Sequence, residues 1–121
     1  MKQLEARAKQ TVLNRLSADI ENGKLKLDQF DITTTGLAYP KFNHKNQGLE
    51  YSIEVSDYEE ENVFDLCLTW KDVIYCFEID KNPECPVSAL FAAIVEKVKG
   101  AKEEWQTAQD RAKFEKLISE F

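Results

Sequence analysis

Two alternating apolar runs separated by only two residues constrain this chain more than any other feature. Phe64, Leu66, Leu68 and Trp70 alternate, and after Lys71-Asp72 so do Val73, Tyr75, Phe77 and Ile79. Two period-two runs with so short a connection specify an antiparallel β-hairpin. A two-residue loop sets Trp70 opposite Val73, Leu68 opposite Tyr75, Leu66 opposite Phe77 and Phe64 opposite Ile79. All eight then share one face, and a slip of one residue would carry the whole set to the other. Lys-Asp is not the favoured Asn-Gly, so the turn type is left open.

The same register fixes the outer face. Asp65 falls opposite Glu78, and Cys67 opposite Cys76 as a non-hydrogen-bonded pair with Cα atoms about 4.5 Å apart. Upstream, Leu49, Tyr51, Ile53 and Val55 alternate with polar residues, which predicts a strand with Glu50 and Glu54 on that outer face. Asp57, Glu59, Glu60 and Glu61 lead into the hairpin.

Elsewhere the period is helical or unclear. Leu4, Ala8, Val12, Leu13, Leu16 and Ile20 predict a helix over 3–22, with Gly23 suited to the left-handed position after its last turn. A first strand is expected within Leu25 to Thr35, starting late or bulged because its alternation breaks between Leu27 and Phe30. The stretch 36–48 reads as an irregular connection, with His44 in a polar loop. After Pro83-Glu84-Cys85-Pro86, a stripe running from Leu90 through Trp105 to Leu117 and Phe121 predicts one long helix over 87–121. Unbroken, it would be a rod of about 50 Å. A domain of this size is roughly 35 Å across. The helix must therefore bend, break or overhang, and Gly100 is the natural break; an overhanging apolar end would be a reason to dimerise.

These elements make a single α+β domain over residues 1–121: an N-terminal helix, about four antiparallel strands and a long C-terminal helix, with the helices on one sheet face. Thirteen aromatic residues can fill its core without a disulfide or a metal. The opening residues lack the apolar run of a secretory signal, no segment is apolar enough to span a bilayer, and the three cysteines are an odd number. The expected setting is cytoplasmic and reducing.

Charge is uneven within the net −6. Residues 1–27 hold six basic and three acidic groups, residues 28–86 hold four and thirteen, and residues 87–121 hold six of each. The acidity therefore belongs to the sheet. It disfavours nucleic acid, which needs a basic stripe interleaved with aromatics. It suits either a solvated face or a docking surface for a basic protein partner. No nucleophile elbow, phosphate loop, zinc-protease or dinucleotide motif is present.

The expectation is a non-enzymatic acidic protein-binding module of inhibitor, immunity or chaperone type, with no cofactor and no membrane partner. Its candidate surface is Glu50, Glu54, Asp57, Glu59, Glu60, Glu61, Asp65 and Glu78. Two alternatives stand beside it. One is a redox pair at Cys67 and Cys76, which Cys85 and His44 would extend to a zinc ligand count at spacings that fit no compact finger. The other is a self-associating protein, a homodimer through the C-terminal helix. Cys85, before a helix N-terminus, is a further candidate reactive thiol.

Overall fold

The computed structural model describes residues 1–32, 42–44, 48–57 and 61–121. Helix α1 (Lys2–Glu21) leads through a 3₁₀ turn at Leu27–Gln29 into strand β1 (Phe30–Ile32). Strands β2 (Phe42–His44), β3 (Tyr51–Asp57), β4 (Val63–Trp70) and β5 (Val73–Asp80) follow, and then helix α2 (Pro86–Glu120). The five strands pair in chain order, each antiparallel to the next. Three long strands, β3 to β5, form the body of the sheet, and two three-residue strands extend it.

The hairpin adopts the expected register at every pair from Trp70↔Val73 to Phe64↔Ile79. Its turn is of type I′, because Lys71 and Asp72 have φ of 50° and 64°. Both are L-residues with a side chain in the left-handed region, where each costs of order 1–2 kcal/mol. The Lys71 ammonium lies 4.7 Å from the Trp70 ring centroid. Gly23, at φ 73°, ends α1 as its sequence position suggested.

Both helices cover one face of the sheet. Leu16 of α1 and Val87, Phe91, Ile94, Val95 and Val98 of α2 share a buried cluster with Ile53, Val55, Phe64, Leu66, Leu68 and Ile79. Phe91 is fully buried and meets Phe64 edge-on, ring centroids 5.9 Å apart. Burying a side chain of that size contributes about 1.5–3 kcal/mol. Ser88 Oγ donates to the Asp80 carbonyl at 2.6 Å and so fastens the start of α2 to the end of β5.

The first strand takes the late start, at Phe30 after the 3₁₀ turn, and the part of it expected at Thr33–Thr35 lies outside the described residues. Other details differ from the sequence reading. His44 is not in a loop but in β2, at the register position opposite Phe30. With β2 the sheet has five strands among the described residues, where about four were expected.

Of the three courses open to α2, it takes the overhang, running unbroken through Gly100 for 35 residues. A lone glycine costs a helix only about 1 kcal/mol, and Ala101, Lys102, Glu103 and Glu104 after it are strong helix formers. From Lys102 onward every residue is exposed, so the second half of α2 overhangs the domain. No helix among the described residues is long and apolar enough to cross a membrane.

Replacing Lys71-Asp72 with Asn-Gly removes the strain at the turn without touching the core. The variant is expected to gain about 1 kcal/mol in urea unfolding, with an unchanged denaturant slope. A loss of stability would show that the turn is not of type I′.

Candidate functional site

The face of the sheet turned away from the helices carries no covering element among the described residues. Its rows follow from the register. Ser52, Thr69 and Ile74 form one, Glu54, Cys67 and Cys76 the next, and Ser56, Asp65 and Glu78 the third. Asp31, exposed on β1, extends the middle row through β2. Sequence reasoning missed Asp31 because β2 could not be seen as a strand.

Among the described residues, Glu54, Asp65 and Glu78 have no ion-pair partner. Asp65 directly faces Glu78, a like-charge pairing that costs roughly 0.2–1 kcal/mol.

Glu50 and Asp57, two other members of the expected acidic surface, are placed differently. Glu50 precedes β3 and lines a cleft with Arg15, Gly23 and Lys24 beside α1, not the open face. Asp57 has the parity of Tyr51, Ile53 and Val55 and so belongs to the helix side. It is mostly buried, and the Lys81 ammonium stands 2.7 Å from its Oδ1 as an ion pair without an aligned hydrogen bond. Lys81 also lies 5.1 Å from the centroid of the Phe64 ring. Glu61 is exposed just ahead of β4, while Glu59 and Glu60 lie outside the described residues.

The thiols separate into a pair and a single residue. Cys67 and Cys76 face each other across β4 and β5 with their Sγ atoms 2.9 Å apart, one thiol hydrogen-bonded to the other. Burial, the neighbouring Cys76 thiol, and the Glu54 and Asp65 carboxylates push the Cys67 thiol up to about 11. Cys85 is elsewhere, at the N-cap of α2, half-buried against the core. Among the described residues, no three of His, Cys, Asp and Glu stand together as metal ligands.

A buried polar network also escaped the sequence reading. Tyr51 Oη donates to Asp19 Oδ2 at 2.6 Å, and Arg15 Nε donates to the same oxygen at 3.1 Å. Asp19 is only 3% exposed. Its backbone carbonyl also accepts from the amides of Lys24 and Leu25. The network ties α1 and the chain leaving it to β3. A tyrosine in an apolar strand pattern gave no sign of a carboxylate 32 residues earlier.

The chain matches no protein family, no curated protein and no solved structure.

Burial and the Asp19 hydrogen bond hold the Tyr51 phenol above its ordinary value of about 10. An acid whose folded pKa is raised keeps its full stabilising effect below the unfolded pKa and loses it as pH rises beyond. Wild-type stability is therefore expected to fall above about pH 10. Tyr51→Phe is expected to cost about 1.5–3 kcal/mol at neutral pH, since Asp19 stays buried with one partner fewer. It should also lack the tyrosine-linked alkaline fall. Urea melts across pH for both proteins check this; a neutral substitution would show that the network carries no weight.

Proposed function

We propose that this protein is a non-enzymatic binding module whose open sheet face docks a basic surface of a partner protein. The observation that supports the reading is the cluster of Glu54, Asp65 and Glu78 on an uncovered face, with no ion-pair partner among the described residues and two of its members facing each other. A face needed only for solubility gains nothing from setting like charges opposite. A face that receives a cation does, because the incoming charge relieves the repulsion. An acidic field also speeds encounter with a basic partner. An inhibitor, immunity or chaperone role is the class of activity that such a module serves.

The proposal ties stability and binding in opposite directions. Asp65→Lys is expected to stabilise the free domain by roughly 0.2–1 kcal/mol, because it turns a like pair into an opposite one. The combined substitution of Glu54, Asp65 and Glu78 by Lys is expected to abolish capture of the partner from lysate of the source cells. Raising the salt concentration should release that partner from the wild type. A partner held equally by wild type and triple variant at all salt concentrations would contradict the reading.

A second reading, self-association through the overhang of α2, is favoured by a separate observation. Trp105, Phe114, Leu117, Ile118 and Phe121 are all exposed there. At 3.6 residues per turn, Trp105, Ala108 and Ala112 continue the core face, whereas Phe114, Leu117, Ile118 and Phe121 come round to the opposite side. The single stripe expected from sequence is thus two. Residues 102–110 hold one basic and three acidic groups, and residues 111–121 hold three and two. Antiparallel pairing with a second copy would set the acidic half of each overhang against the basic half of the other. Sedimentation equilibrium is expected to give a dimer that Trp105→Glu with Leu117→Glu converts to monomer. A single-chain mass for the wild type at every concentration would dismiss it.

A further inference from the structure

We propose that Cys67 and Cys76 form a thiol–disulfide exchange site that reacts with low-molecular-weight disulfides, cationic ones in preference to anionic ones, and closes a reversible bridge between β4 and β5. The site lies in the middle of the acidic face, but it stands or falls independently of whether that face docks a partner.

Three observations meet there. The two residues are register partners, and counting from the type I′ turn makes them a non-hydrogen-bonded pair, the closest approach an antiparallel ladder offers. Their Cα separation in such a pair, about 4.5 Å, falls within the span a disulfide tolerates. Their sulfurs already stand 2.9 Å apart, so closing the bond needs no rearrangement of either strand. The pair is also reachable from solvent, since Cys76 is exposed, Cys67 is half-buried and no described element covers the face above them.

The order of events follows from the surroundings. Cys76 is exposed and Cys67 half-buried, which makes Cys76 the thiol that meets a disulfide first; burial, the Cys76 thiol and the carboxylates of Glu54 and Asp65 push the Cys67 thiol up. Cys76, having lost its proton to solvent, attacks one sulfur of the reagent. A mixed disulfide forms on Cys76, and one small thiolate departs. Cys67 then loses its proton and attacks the Cys76 sulfur, forming the Cys67–Cys76 bond and expelling the second small thiolate. Two protein thiols are oxidised and one small disulfide is reduced to two thiols. Reduced small thiols reverse both steps.

Glu54, Asp65 and Glu78 surround the pair in the same and the adjacent row. Their field attracts a dication such as cystamine and repels the carboxylates of glutathione disulfide.

The test incubates the intact protein separately with cystamine and glutathione disulfide, then follows it by mass spectrometry and peptide mapping. The expected product has lost about 2 Da, carries a Cys67–Cys76 bridge and retains a free Cys85. The reaction with cystamine is expected to be roughly tenfold faster than with glutathione disulfide at low salt, with the gap closing as salt rises. Cys67→Ser is expected to stop at a mixed disulfide on Cys76. Modification of Cys85 ahead of the pair would overturn the proposal. So would a mixed disulfide that persists on the wild type without closing. Equal rates for the two reagents at low salt would overturn the charge preference.

Discussion

The register of the β4–β5 hairpin is the constraint on which everything else in this protein depends. It places Phe64, Leu66, Leu68 and Ile79 under α2 and α1. By the same geometry it leaves Asp65, Cys67, Cys76 and Glu78 on the other side. Period-two alternation allows no intermediate arrangement, because a slip of one residue would bury two carboxylates and expose the core. The strained turn at Lys71 and Asp72 is tolerated because this register is held from the far end by packing against Phe91.

What could be read from the sequence is what a single repeating period determines. The hairpin, its register, the Cys67–Cys76 juxtaposition, α1 and the α+β order all follow from local spacing. The features that escaped depend on contacts distant in sequence. Strand β2 has only three residues, too few to display a period, so His44 looked like part of a loop. Glu50 follows the alternation of β3 in sequence, but it lies before the first ladder pair and beside α1. Asp57 is an acid on the apolar side of its strand, which is intelligible only once Lys81 is seen next to it. The Arg15–Asp19–Tyr51 network likewise joins two elements whose separate patterns carry no trace of each other.

The course of α2 decides between a bend, a break and an overhang. A domain of this size cannot cover a 35-residue helix, and a break at Gly100 would have reconciled the two. The strong helix formers after Gly100 keep the helix whole instead, and its second half leaves the domain. Among the described residues, two surfaces of different chemistry are therefore left uncovered. One is a flat acidic sheet face with a dithiol at its centre, and the other is a helical overhang that is apolar on two sides.

The claim at the centre of this account is that the bare sheet face is a discrete acidic docking surface rather than one part of a uniformly acidic exterior. Titration of the isotope-labelled protein with a short oligolysine peptide, followed by amide NMR shifts, tests it most directly. The account predicts perturbations concentrated at Glu54, Ser56, Asp65, Cys67 and Glu78, with Glu50 and the acids of α2 largely unaffected. Perturbations spread equally over Glu103, Glu104 and Asp110 would contradict it.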